Sequence, residues 1–140
     1  MTSVVGSGDP MSTRTALRPQ VVISAGDMTQ TLTSAPTVMQ SLSGVSYSYS
    51  WTGSSPVGTL SVQVSNDYAL EPNGTVANAG TWNTLTLNLN GAPVTSIPVS
   101  GSPGTAAIDI LKTMFYAIRT IYTPGSGTGS LTATVSGKVS

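Results

Sequence analysis

Five carboxylates stand in this chain, at Asp9, Asp27, Asp67, Glu71 and Asp109. Only Asp67 and Glu71 share a segment, together with Asn66 and Asn73. A cluster of oxygen ligands of this kind suits a hard cation such as calcium, but the spacing is not that of an EF-hand loop. Asx-type turns, in which a short polar side chain accepts hydrogen bonds from its own backbone, account for the same residues without a metal. Paired-carboxylate glycoside hydrolysis needs two acids facing each other across a cleft, and the spacing pairs no two of the five.

The other routes to catalysis are narrower still. There is no histidine and no cysteine, so a Ser-His triad, a thiol nucleophile, a thiolate metal site and a disulfide framework are all closed. Serine is abundant, but nothing local ties one to Lys112 or Lys138 as a dyad. Gly125-Ser126-Gly127-Thr128-Gly129 is rich in glycine like a phosphate-cradling loop, yet no lysine follows it and strand-like segments flank it, so it reads as a hairpin loop. Asn73-Gly74-Thr75 is formally a glycan acceptor, but without a signal peptide Asn-Gly turn chemistry is its better reading. The expectation is a protein that is not an enzyme and requires no metal or cofactor.

What remains is a binding or structural role, and composition narrows it. Charged residues make up 7% of the chain and hydrophobic ones 39%, with five cations balancing five anions. Disorder combines low hydrophobicity with high charge, which does not fit here. A net charge of zero removes the field that steers proteins to nucleic acid, so no nucleic-acid partner is expected. Few charges also leave little electrostatic protection against self-association. The opening MTSVVGSGDPMSTR lacks the basic start and apolar run of a Sec-type signal. No stretch approaches the roughly 20 apolar residues of a transmembrane helix. Synthesis in the cytoplasm and no membrane partner are expected.

The elements follow from period-2 patterning. Residues 1–15 read as a flexible arm whose apolar pair is Val4 and Val5 and which ends near Arg14; residues 16–140 read as one domain. Val21-Val22-Ile23 marks a first strand, followed by a turn at Ala25-Gly26-Asp27, an alternating run from Met28 to Ser34, and a strand from Val38 to Leu42. Val45-Ser46-Tyr47-Ser48-Tyr49-Ser50-Trp51 alternates throughout. The loop Gly53 to Gly58 and the run Leu60, Val62, Val64 then complete a β-hairpin. Asn66 to Gly80 is an irregular excursion. Trp82 to Leu89 resumes alternation, Asn90-Gly91 signals a two-residue hairpin, and Pro93 and Pro98 mark an edge strand between Val94 and Val99. The segment 106–118 fits both an amphipathic helix and a strand, turn and strand; the second reading is preferred. A further hairpin spans Tyr116 to Ser136, and its GSLTATVS, Gly129 to Ser136, repeats GTLSVQVS, Gly58 to Ser65. The sum is an all-β, antiparallel β-sandwich of about eight strands by the usual spacing.

Tyr47, Tyr49 and Trp51 alternate with serines, as inward-facing core residues do. An exposed aromatic platform for carbohydrate is the competing reading. Tyr68 and Trp82, beside the excursion, are better placed for a ligand or subunit contact, with Glu71 and Asn73 in the same loop and Val4, Val5 and Arg14 on the arm.

The combination VGTLSVQVSND, TW, YAIRTIYT and SGTGSLTATVSGK resembles small virion proteins of bacteriophages. It is also similar in pattern to discoidin-like jelly rolls, in which a strand ending in Ser-Asn-Asp precedes a Trp-containing strand and an aromatic-Arg strand lies beside the last one. The resemblance covers Tyr47 to Ser140, and the insertion Leu70 to Ala79 departs from it. It implies a jelly-roll-like structural protein of the virion, either a capsid decoration or accessory component that binds the major capsid protein or other virion proteins and forms a homo-oligomer, plausibly a trimer, or a carbohydrate- or receptor-binding module of a head or tail fibre.

Overall fold

The computed structural model describes residues 16–39, 42–101, 103–111 and 115–138. In chain order these form β1 (Ala16–Asp27), β2 (Leu32–Thr33), β3 (Thr37–Val38), β4 (Gly44–Ser65), β5 (Ala69–Leu70), β6 (Val76–Asn78), β7 (Asn83–Thr84), β8 (Leu87–Leu89), β9 (Ala92–Val94), β10 (Ile97–Val99), β11 (Gly104–Leu111) and β12 (Ala117–Lys138). Eight of them make one antiparallel sheet; β5 with β6 and β8 with β9 make two small ones. The described residues are all-β and include no helix. Val4, Val5 and Arg14 lie outside them.

The sheet is a four-stranded ribbon folded across its own strands. Its centre is the pair β4 and β12, which runs from Gly44 opposite Lys138 to Ser65 opposite Ala117. Along the free side of β12 lie β1, then β2, then β3. Along the free side of β4 lie β11, then β10, then β7. Halfway, all four lines bend at one crease, at Met28 to Gln30, Gly53 to Gly58, Val99 to Gly101 and Pro124 to Gly129. The backbone there takes conformations that straight strands avoid. Gly53, Gly101 and Gly127 have φ of 141°, 87° and 77°, and Ser55 has 49°. The β4–β12 register also shifts twice between Pro124 and Thr128. Gly53 is required as glycine, because a Cβ there would run into the Thr128 carbonyl and the Gly129 Cα.

The fold places the halves of the ribbon face to face. Tyr49 pairs with Ala133, and Thr120 lies 13 positions back along the same strand, about 43 Å away if β12 were straight. Yet the Tyr49 hydroxyl stands 2.6 Å from Thr120 Oγ1. One layer is therefore β1, the second half of β12, the first half of β4 and β11. The other is β2 and β3, the first half of β12, the second half of β4, and β10 with β7. Between them lie Tyr47, Tyr49, Trp51, Ile108 and Leu131 from one side and Leu60, Val62, Val99, Ile118 and Tyr122 from the other, all buried. Each such aliphatic side chain stabilises by roughly 1.5–3 kcal/mol when fully removed from water.

The sequence repeat acquires a different meaning. Neither copy is a hairpin: each is one 22-residue bent strand, and the halves of each copy pair with the other copy. Tyr47, Tyr49 and Trp51 stand opposite Val135, Ala133 and Leu131, while Leu60, Val62 and Val64 stand opposite Tyr122, Thr120 and Ile118. A Gly/Pro/Ser stretch between two alternating runs serves a bend as well as a turn, and the partner is chosen by long-range packing. For the same reason the aromatic-Arg strand and the last strand of the discoidin-like pattern are two parts of β12, and each pairs with β4.

Smaller differences have local causes. Met28 is not on a strand: its amide donates to the Gly129 carbonyl at 2.9 Å and its side chain fills the crease. Of the strand expected from Val38 to Leu42, the described residues show Thr37–Val38, and residues 40–41 lie outside them. Ala25-Gly26-Asp27 continues β1 through a bulge, with Ala25 at a φ of 47°. In 106–118 the described residues follow the strand reading, with β11 ending at Leu111 and β12 opening at Ala117; the turn at 112–114 lies outside them. Asn90 and Gly91 have φ of 53° and 85° and join β8 to β9, as their type I′ signature predicts. Pro98 sits in β10, which borders only β4.

Candidate functional site

The excursion between β4 and β7 leaves the second layer at Ser65 and returns beside the same strand, where Asn83 and Thr84 pair with Val64 and Gln63. It is an Ω-type loop with close ends. Polar contacts fasten its base. Asp67 Oδ1 accepts from the Thr81 amide at 2.6 Å and the Ser65 hydroxyl at 2.8 Å, and Ser65 Oγ accepts from the Tyr68 amide at 3.2 Å. Asn66 Oδ1 receives the Tyr116 amide at 3.1 Å. The Thr81 amide, followed by the Ser65 hydroxyl, holds the Asp67 carboxyl below the usual carboxylate range.

At that base the loop lays Trp82 over the outer face of the sheet. Arg119 of β12 pairs directly with Gln63 of β4, and its Nε and Nη2 both donate to Gln63 Oε1, at 2.9 and 2.7 Å. The guanidinium carbon sits 4.3 Å from the centre of the Trp82 ring, and the Tyr68 ring lies tilted beside the indole at 5.8 Å between centroids. Trp82 Nε1 donates to the Ala79 carbonyl at 2.8 Å. Partial burial pushes the Arg119 pKa downward. A cation held flat against an indole contributes about 0.5–1 kcal/mol at an exposed site.

Of the residues singled out from the sequence, Tyr68 and Trp82 are thus brought together, with Tyr68 buried and Trp82 half-buried. Glu71 and Asn73 are not beside them. They form the exposed turn between β5 and β6, where the Glu71 amide donates to the Thr75 carbonyl and Asn73 Oδ1 accepts from both the Thr75 amide and its hydroxyl. That is the Asx turn, realised at the acceptor site of the formal sequon. Asp67 and Glu71 are engaged separately, and among the described residues no three acidic, histidine or cysteine side chains gather. Sequence reasoning missed Arg119 and Gln63, whose pairing depends on register, and the apolar pair Leu70 and Val76. The latter face each other on the β5–β6 hairpin and stand 42% and 56% exposed.

The outer face of the first layer has the opposite chemistry. Ser46, Ser48, Ser50 and Thr52 stand opposite Ser136, Thr134, Thr132 and Ser130, with Thr105, Ala107 and Asp109 alongside. This array of hydroxyls carries one carboxylate, which accepts from the Ser46 hydroxyl. Its hollows are shallow and lined by the same hydroxyls with Pro103 and Lys138 at their rims. Both surfaces offer contact area and hydrogen bonds, and neither presents a nucleophile with a base.

The fold and these surfaces define a charge-poor antiparallel β protein. No family model matches the chain, and no curated protein does. Among solved structures, the crystal structure of the SPBc2 prophage-derived protein YomS has the same fold, with a TM-score of 0.52 and 10% identity over 92% of this chain and 99% of that one. At that identity the likeness is one of fold.

Proposed function

We propose that this chain is a non-enzymatic structural component of a phage particle, attaching to the major capsid protein, other virion proteins or neighbouring subunits as a decoration or accessory protein. The observation that carries the reading is the end-to-end likeness of fold to a prophage-derived protein. The hydroxyl-rich, charge-poor face and the exposed Leu70 and Val76 support it, as surfaces suited to weakly charged contacts. On this reading the protein is made in the host cytoplasm and ends in the virion, with the excursion and the segment from Met1 to Arg14, including Val4, Val5 and Arg14, as attachment points.

Co-sedimentation of the purified protein with particles lacking it tests this. Saturable binding, weakened by Leu70→Ser or by deletion of Met1 to Arg14, is expected. A second reading, a carbohydrate- or receptor-binding module of a fibre, draws on the Trp82, Tyr68 and Arg119 cluster. Glycan binding abolished by Trp82→Ala, with no particle association, would replace the first reading by the second.

A further inference from the structure

The four borders of the folded ribbon are not equally guarded. Natural sheets blunt free edges with proline, bulges, charges or very short strands. β1 carries Arg18, Pro19 and three register irregularities. β2, β3 and β7 are two residues long, and β10 is three residues with Pro98 at its centre. β11 has no proline, no bulge and no shortening, and a single charge is its one such device. Its eight residues, GTAAIDIL, pair with β4 in unbroken register from Gly104 to Leu111, and among the described residues no strand pairs with its other edge. Its one charge is Asp109.

We propose that this edge pairs with the same edge of a second copy, antiparallel about a two-fold axis through Ala107. The occupant follows from the strand's complementarity to itself. In an antiparallel pair, directly opposed side chains share a face. Thr105, Ala107 and Asp109 are exposed, whereas Ile108 and Ile110 are buried and Ala106 packs against the core. Matching these faces requires the axis to pass through a residue. An axis through Asp109 would oppose two carboxylates, which is destabilising. One through Ala107 sets Thr105 opposite the second copy's Asp109, hydroxyl to carboxylate, on both sides of the axis. It also sets Ala106 opposite Ile108 on the core side, and two small alanines meet at the centre. The first layers then join into one eight-stranded sheet with a continuous hydroxyl face. Such a contact is two-fold and gives a dimer, in place of the trimer expected from the sequence. It does not depend on the particle reading, since it requires only this chain.

The absence of cysteine makes the register readable by single substitutions. Directly opposed residues have Cα atoms about 4.5–5.5 Å apart, inside the range a disulfide spans. Ala107→Cys is therefore expected to form a disulfide-linked dimer under mild oxidation. Thr105→Cys alone is not, because its counterpart lies four residues away along the strand, about 13 Å, whereas Thr105→Cys mixed with Asp109→Cys should cross-link. Ala107→Lys, which places two like charges at the axis, should reduce the mass in solution from dimer to monomer, leave the circular dichroism unchanged and make the unfolding midpoint independent of protein concentration. A monomeric wild-type protein at high concentration would overturn the proposal, as would cross-linking of Ala107→Cys no faster than of Thr75→Cys on the distant β5–β6 turn. If the free protein is a monomer and Ala107→Lys abolishes only particle binding, the edge belongs to a strand of the shell, which also overturns self-pairing.

Discussion

The crease and the excursion are both rich in glycine and small polar residues, yet they are held by different physics. At the crease four backbones cross within contact of one another, and Gly53, Gly58, Gly127 and Gly129 are there because carbonyls of neighbouring strands occupy the space a Cβ would need. In the excursion the Gly74 Cβ position is open, with nothing within 4 Å, and order comes from Asp67, Asn66 and the stack of Trp82 on Arg119. Similar composition thus encodes close packing in one place and a polar tether in the other. A defect at the crease should propagate through both layers, whereas a defect in the excursion should remain local.

The largest contrast is expected between two identical substitutions. Gly53→Ala combines a backbone clash with a φ of 141° and should cost at least about 3 kcal/mol, within the range of strain plus overpacking. Gly74→Ala has only its φ of 89° to oppose it and should cost about 1 kcal/mol. Denaturant midpoints of the two variants test the distinction, and equal losses would erase it.

A second pair probes the contact between layers. The Thr120 hydroxyl donates to the Ser61 carbonyl at 2.9 Å, so at 2.6 Å Tyr49 is the donor to Thr120. Tyr49→Phe should cost about 1 kcal/mol, as for a net hydrogen bond. Two residues earlier, the Tyr47 hydroxyl is buried with no hydrogen-bond partner among the described residues; Thr37 only partly eases its burial. Burial raises both phenol pKa values far above the ordinary range, with Tyr49 adding to the effect on Tyr47. Tyr47→Phe should leave stability unchanged or raise it by up to about 1 kcal/mol. Thermal unfolding of the two Phe variants in parallel should show a loss for Tyr49→Phe and none for Tyr47→Phe if the layers are tied as described.

In the excursion, Trp82→Ala should lower global stability by only about 0.5–1 kcal/mol, the value of an exposed cation–π contact. Its main effect should be faster amide exchange and protease cleavage within 66–82. Equal acceleration in β4 and β12 would show that the loop is part of the cooperative core.

The smallest effect concerns pH. Asp27 at the crease, bound to the Thr29 amide and hydroxyl, and Asp67 at the base of the excursion both have carboxyl pKa values depressed by those donors. A depressed pKa contributes stability above the unfolded carboxylate value of about 3.9 that is lost as pH falls through the folded one. Between pH 5 and 3, cleavage of 66–82 should therefore rise before global unfolding, and Asp67→Asn should flatten that rise.

Much of the architecture was legible from local pattern. The inward faces of Tyr47, Tyr49 and Trp51 and of Leu60, Val62 and Val64 follow from strict alternation, and the Asn90-Gly91 turn follows from the tolerance of both residues for positive φ. The site was half legible. Tyr68 and Trp82 stood out by type and position, but Arg119 came to Trp82 only through the register that sets it opposite Gln63. Glu71 and Asn73 share the loop with Tyr68 but sit at its far tip, because the β5–β6 hairpin inside a segment read as irregular carries them outward.

Local pattern alone reveals a charge-poor, cysteine-free, all-β chain, with its buried faces and its special turn residues, because period, charge and φ tolerance are properties of neighbouring residues. Long-range pairing set the rest: the two repeats are bent strands that pair with each other, the sheet folds over on itself, and β11 lies at its edge. Those outcomes depend on which distant strand supplies the hydrogen bonds and on where carbonyls crowd a glycine, and neither is encoded in any short stretch of the chain.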